Sequence, residues 1–250
     1  FHRGFTHSLV MVPILALLFT FLWWSLRRLW FCRRRPNEHA PPVGFGWLYL
    51  CSLVAIATHS LLDMCTSYGT QLLWPFSTTR LAWDCVPIID LLYTSLLILT
   101  LLLCFIVRRV WRNRPRRAKH ISLAVGILGM VLSTAYLAAG RVCHDIARYR
   151  GMENVGDRQI VSAEAYPMLG TIFLWRVVIQ TPDKWYIQRV HLFADGDHIE
   201  TNIVPRNTLT APQLLEAENT DAYTLFRWFA RGQLRPEVRR ETGIDGEYTI

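Results

Sequence analysis

The stretch VPIIDLLYTSLLILTLLLCFIV, residues 86–107, decides the fold class of this 250-residue chain. Asp90 is its only charged residue, and leucine, isoleucine and valine make up most of the remainder. A helix needs about 20 mainly apolar residues to cross the roughly 30 Å hydrocarbon core of a bilayer. The stretch therefore predicts a membrane-spanning helix.

Three other stretches have a similar length and composition. The four predicted spans are residues 8–26, 45–62, 86–107 and 121–139. None has the polar stripe of a helix on a soluble protein surface, and tryptophan and tyrosine cluster near the span ends, as in an interfacial aromatic belt. A buried bundle in a soluble protein is the alternative, and the arginine clusters between the stretches argue against it.

Basic residues are concentrated between these stretches. Residues 1–141 contain 15 lysines and arginines against four acidic residues, and 12 of the 15 lie in segments 27–44 and 108–120. The loop between the second and third spans has one basic residue, Arg80. The positive-inside rule therefore puts 27–44 and 108–120 in the cytoplasm and everything after Arg141 outside. This pattern is typical of membrane topology and not of a nucleic-acid-binding surface, so no nucleic-acid partner is expected.

Residues 142–250 have the composition of a soluble domain. Strand-forming residues and turn signals predict a three-stranded antiparallel meander at 171–180, 185–194 and 198–204. Helices are expected at 141–150, 212–218 and 221–230, the last with Thr220 as its N-cap. Because the chain begins at Phe1 without a methionine and ends in a strand-like run, we expect it to be a fragment of a longer protein.

The predicted fold class is thus an α-helical polytopic membrane protein with four spans in residues 1–141 and a C-terminal extracytoplasmic α+β domain in residues 142–250. Two cysteines, Cys65 and Cys85, flank the predicted outer loop. They either pair in an oxidising compartment or remain two free thiols. The histidines at positions 144, 191 and 198 have no carboxylate at ligand spacing and are interpreted as structural.

Five ionisable residues are expected at the outer ends of the first three spans. They are His2, His7, His59, Asp63 and Asp90. Ionisable groups within a membrane are costly and usually face a partner inside the bundle. His59 and Asp63 are four residues apart and share one helical face. Imidazole and carboxylate without cysteine is the ligand set of catalytic zinc and related divalent metals, so the group predicts a metal site. The alternative is that each residue only caps a helix or lies at the interface.

Several motifs in the first 95 residues resemble the YdjM-type membrane-bound metal-dependent hydrolases of bacteria. They are HRGFTHS at 2–8, HSLLD at 59–63, Thr66 and Gly69, LLWPFS at 72–77 and DLLYT at 90–94. Segments 175–178 and 226–229 are similar to the tails of some members. The resemblance implies a largely helical enzyme of the bacterial inner membrane, related to zinc-dependent phospholipases C and nucleases. That family normally has an aspartate-rich segment ahead of the first histidine motif, and this chain begins after it.

The resemblance also implies roles for individual residues. It makes the same five residues metal ligands and Arg3 the group that stabilises an anionic oxygen. The resulting hypothesis is that zinc, or manganese, activates water for attack on a phosphoester or lipid-type substrate at the outer face. No His-Glu-x-x-His occurs in the sequence, which argues against a zinc protease of that type. A non-enzymatic scaffold or transporter with a structural metal site is the alternative.

Overall fold

The computed structural model describes residues 4–34, 44–193, 199–205 and 218–231. Its first part consists of four long helices, α1 (Met11–Arg34), α2 (Phe45–Met64), α3 (Leu91–Val110) and α4 (Pro115–Val155). Each is long and apolar enough to cross a membrane. The four predicted spans are therefore confirmed.

The helices form two antiparallel pairs, α1 with α2 and α3 with α4. Most of their large apolar side chains point away from the protein, as the 71% exposure of Leu101 illustrates. The spanning part of α3 contains no buried residue. Exposed apolar surface of this extent, on helices long enough to cross a membrane, is expected where lipid or a neighbouring membrane protein covers it.

The two ends of the bundle differ in chemistry. We call the end formed by the start of α1, the end of α2 and the start of α3 the site end, because His7, His59 and Asp90 lie there. The opposite end carries the arginine clusters, such as Arg108 and Arg109 in the last turn of α3.

Two helix boundaries differ from the sequence expectation. The third helix begins at Leu91 and not at residue 86, because Asp90 is its N-cap and accepts a hydrogen bond of 2.9 Å from the Tyr93 backbone N–H. Pro87, just before it, has no N–H to donate. The fourth helix is continuous through Arg141, so the span and the short helix expected at 141–150 form one helix of 41 residues.

The C-terminal part contains a four-stranded antiparallel sheet in the order β1 (Ser162–Pro167), β2 (Leu174–Gln180), β3 (Lys184–His191) and β4 (Glu200–Pro205). The last three strands are the predicted meander, which is confirmed. The prediction of three strands was wrong in number, because it missed β1. That strand reads SAEAYP, and alanine, glutamate and proline are poor strand formers.

Helix α5 (Asp221–Phe229) follows, and Thr220 caps it by accepting a 3.2 Å hydrogen bond from the Tyr223 N–H, as predicted. The helix expected at 212–218 lies outside the described residues except for Glu218, and His198 lies outside them as well.

One face of the sheet packs on the last turns of α4. The side chains of Trp175, Val177 and Ile179 are fully buried there, against Ala147 and Gly151 of the helix. The same core continues to Cys65 and Cys85 in the loop at the site end. The Gly170 N–H also donates a 2.9 Å hydrogen bond to the Ile89 carbonyl, directly before α3. The sheet is therefore attached to the site end of the bundle.

Candidate metal site at the end of the helix bundle

A short turn ahead of the first span positions His7. Residues Phe5–His7 form one turn of 3-10 helix, and the buried Ser8 hydroxyl closes it with a 2.8 Å hydrogen bond to the Phe5 carbonyl. The Leu9 N–H then donates to the Leu72 carbonyl at 2.9 Å. His7 is thus held against the loop that joins α2 to α3.

The last two turns of α2 supply His59 and Asp63. Their spacing of four residues puts both side chains on one face of the helix. The Asp63 carbonyl accepts a 2.8 Å hydrogen bond from the Thr66 hydroxyl, which satisfies one of the last carbonyls of the helix. The carboxylate is therefore carried by a helix end that is itself fixed.

These three side chains converge on the Asp63 carboxylate. His7 Nε2 lies 3.3 Å from Asp63 Oδ2, and His59 Nε2 lies 3.9 Å from the same oxygen. The two imidazole rings have centroids 5.4 Å apart. His7 and Asp63 are mostly buried, whereas the His59 side chain is 63% exposed. The group is consequently open on the His59 side.

The donor set and its spacing fit a divalent metal ion. One ligand atom from each of His7, His59 and Asp63 lies within 4.8 Å of the others. Ligands bound at 2.0–2.2 Å in a tetrahedron are roughly 3.3–3.6 Å apart, so small movements of the His59 side chain would complete the geometry. Three protein ligands that leave one position open are the arrangement of catalytic rather than structural zinc.

The hydroxyl of Thr6 adds a partner that the sequence analysis missed. Thr6 Oγ1 lies 2.9 Å from His7 Nδ1, the ring nitrogen opposite the one that faces Asp63. A partner at that position fixes the orientation and tautomer of a ligating imidazole. Only its place beside His7 in the motif could have indicated this role.

The structure does not bring all of the predicted site residues together. Asp90 is outside the three-residue group. Its carboxylate caps α3 and accepts hydrogen bonds of 2.9 Å from the Tyr136 hydroxyl at both oxygens. His2 and Arg3 lie outside the described residues. A ligand role for Asp90 or His2, and the role of Arg3, stay predictions.

A second charged cluster connects α5 and the residues after it to the same loop, and no local sequence pattern predicts it. The Arg231 guanidinium donates to both carboxylate oxygens of Asp84 and, at 2.9 Å, to the Ser67 carbonyl. Arg80 lies over the Trp228 ring, 4.9 Å from its centroid. Burial lowers the pKa of Arg80, and the nearby charge of Arg231 lowers it further. Burial opposes the charged form of Arg231 as well, but its hydrogen bonds and charge pairing with Asp84 outweigh this and raise its pKa.

Comparison with known proteins identifies the family of the membrane part of the chain. A family model described as YdjM inner membrane protein matches residues 1–142. The chain belongs to the YdjM inner membrane protein family. The matched segment includes all four spans, so this is a multi-pass inner membrane protein. The segment also includes the three convergent side chains. No curated protein and no solved structure matches the chain.

Proposed function

We propose that this YdjM-family protein is a membrane-embedded, metal-dependent hydrolase that acts on a phosphoester or lipid-type substrate at the outer face of the membrane. The observation that carries the proposal is the convergence of His7, His59 and Asp63, contributed by two chain segments, on one point at the site end. A scaffold that needs only a helix cap at each position has no requirement for such convergence.

The three side chains would together bind a divalent cation, zinc or manganese. When bound, such an ion lowers the pKa of a coordinated water and polarises the substrate. Asp63 would supply the negative charge, and the buried His7, oriented by Thr6, would supply a fixed nitrogen ligand. The exposed His59 leaves one side of the group accessible to a substrate. Arg3 would stabilise the developing negative charge on the substrate.

The surroundings of the group favour a substrate with an apolar portion. Phe5, two residues before His7, is 47% exposed and packs on Trp74 with ring centroids 5.9 Å apart. Phe76 in the same loop is 86% exposed. Trp74 is of the residue type that favours the headgroup region of a bilayer, and exposed phenylalanine rings beside it offer apolar surface to a lipid chain. A lipid or lipid-linked headgroup is therefore the substrate class that the position supports best.

The test measures metal content and hydrolysis on the same samples. The full chain would be purified in detergent, its metals quantified by plasma mass spectrometry, and its activity assayed on a chromogenic phosphodiester and a short-chain phospholipid. His59→Ala and Asp63→Ala are expected to lose both the metal, roughly one equivalent in the wild type, and the hydrolysis. His191→Ala, which changes an exposed histidine on the sheet, is the matched control and should keep both.

The other possible outcomes would either overturn the proposal or support a different function. Wild-type protein without metal would make the group ordinary helix-end polarity and would overturn the proposal. Metal that binds through His59 and Asp63 without turnover of either substrate would instead support a membrane scaffold with a structural metal site. Metal-dependent uptake into sealed vesicles would support a transporter.

A further inference from the structure

Two cysteines meet at the site end, one on each side of the loop that joins α2 to α3. Cys65 follows the last residue of α2, and Cys85 lies shortly before the N-cap of α3. The N–H groups of Cys85 and Val86 both donate to the Cys65 carbonyl, at 2.8 and 3.2 Å. The two chain segments are therefore in direct backbone contact at these residues.

The backbone contact places the two residues within disulfide range. Thr66 and Val86 form a parallel bridge, so the preceding residues, Cys65 and Cys85, lie opposite each other. A carbonyl oxygen lies about 2.4 Å from the Cα of its residue and an amide nitrogen about 1.5 Å from its own Cα, so the 2.8 Å hydrogen bond from the Cys85 N–H to the Cys65 carbonyl keeps the two Cα atoms within about 6.7 Å. That separation lies inside the range of about 4.4–6.8 Å that a disulfide requires.

Both side chains belong to one buried hydrophobic cluster and are shielded from solvent. The two residues are only 7% and 2% exposed, and the Cys85 thiol donates a weak hydrogen bond to the Trp83 carbonyl at 3.7 Å. The other cysteines with described side chains are positioned differently. Cys51 is exposed, Cys104 donates to the Ser122 carbonyl at 3.4 Å, and Cys143 lies on α4.

We propose that Cys65 and Cys85 form a structural disulfide in the mature protein. The prediction that this end faces the extracytoplasmic side supplies the oxidising compartment in which such bonds persist. A new S–S bond forms as the two thiols lose two protons and two electrons. The acceptor is the disulfide of an extracytoplasmic thiol–disulfide oxidoreductase, which is reduced to a dithiol through a mixed-disulfide intermediate.

The bond would fix the part of the chain that holds the candidate metal site. Asp63 is two residues before Cys65, and the enclosed loop supplies the Leu72 carbonyl to which Leu9 donates. Closing the loop covalently restricts the unfolded chain and so favours the arrangement in which His7 meets Asp63. This inference does not depend on the hydrolase proposal, since a scaffold would use the same bond.

The test counts the protected thiols of the full chain in native membranes. Membranes would be denatured in N-ethylmaleimide to block free thiols, then reduced and labelled with polyethylene-glycol maleimide, so that each disulfide adds two labels. The wild type and Cys104→Ser are expected to gain two labels, and Cys65→Ser and Cys85→Ser none. A peptide in which Cys65 is linked to Cys85, lost on reduction, is expected in a digest of the wild type.

The wild-type measurements keep the test decisive even if a cysteine variant fails to fold. Absence of both protected thiols and the linked peptide from the wild type would overturn the proposal. Two labels that persist in Cys65→Ser, or a dimer on a non-reducing gel that disappears in that variant, would also overturn it, because the bond would then involve another cysteine or a second chain.

Discussion

The guanidinium of Arg231 donates hydrogen bonds of 2.8 and 3.1 Å to the two carboxylate oxygens of Asp84, 147 residues earlier in the chain. Both partners are largely buried, since the Asp84 side chain is 5% exposed and that of Arg231 is 22% exposed. The pair connects the segment after α5 with the loop at the site end. It therefore holds the C-terminal part of the described chain against the membrane part.

Removing Arg231 should be costly because it leaves the buried Asp84 carboxylate unpaired. We expect Arg231→Ala to lower the free energy of unfolding by about 3 kcal/mol, the lower end of what breaking a buried pair costs. Arg227→Ala, on the exposed side of α5, should change it by less than about 0.5 kcal/mol. Thermal unfolding in detergent would measure both. A double variant with Asp84→Ala that is as unstable as the sum of the single variants would contradict the pairing.

The second prediction concerns Asp90, whose carboxylate caps α3 and binds Tyr136. Because the cap and the Tyr136 hydrogen bonds stabilise the fold, Asp90→Ala should lower stability by about 1–3 kcal/mol and leave the metal content of the purified protein unchanged. Tyr136→Phe should lose only part of that stability. Metal analysis beside thermal unfolding separates the two roles. A folded Asp90→Ala protein without zinc would make Asp90 the ligand that the sequence indicated.

The His59–Asp63 pair and Asp90 show which parts of the site could be predicted from the sequence and which could not. The i, i+4 spacing of His59 and Asp63 is a local property of one helix, so the sequence predicts their shared face. The approach of His7 also follows, because span orientation puts it at the same end. Asp90 is at that end as well, but its partner Tyr136 lies on another helix, and sequence spacing carries no information on that contact.

The fold was predictable to the extent that its signals are local. Long apolar runs fix the four spans, and strand-forming residues with turn signals fix the meander. Strand β1 has a weak local preference and exists because β2 and α4 pack against it. The contact between Arg231 and Asp84 could not be predicted either, because only the tertiary structure brings these two residues together.

Close packing of α4 provides the third prediction. A Cβ at Gly140 would overlap the Cys85 backbone carbonyl, and a Cβ at Gly129 would overlap the Thr100 side chain. We expect Gly140→Ala to destabilise the protein by about 1–3 kcal/mol, because a backbone carbonyl yields less readily than a side chain. Gly126→Ala, on the same helix with nothing within 4 Å, should be neutral or stabilising. Equal unfolding temperatures for Gly140→Ala and Gly126→Ala in detergent would contradict this packing.

The fourth prediction tests the orientation inferred from the arginine clusters. A reporter fused after Arg114, in the short link between α3 and α4, should be cytoplasmic. One fused after Gln180, between β2 and β3, should be outside. Alkaline phosphatase needs disulfides and is active only outside the cytoplasm, whereas green fluorescent protein exported in unfolded form does not fluoresce. Phosphatase activity at Arg114 and fluorescence at Gln180 would reverse the orientation, and would put the candidate metal site on the cytoplasmic face.

The fifth prediction concerns Thr6, whose hydroxyl lies 2.9 Å from His7 Nδ1. A residue that orients a ligand affects metal affinity without touching the metal, and loss of such a partner typically costs about 10–100-fold in affinity. We therefore expect Thr6→Val to weaken binding at the proposed metal site about 10-fold, as measured with zinc by competition with a chromogenic chelator. Thr58→Val is the matched control, because the Thr58 hydroxyl bonds only carbonyls of its own helix, at 2.8 Å to Val54 and 3.1 Å to Ala55. Equal affinities for the two variants would mean that His7 is oriented by its helical turn alone, whereas a loss confined to Thr6→Val would identify His7 Nε2 as a ligating atom.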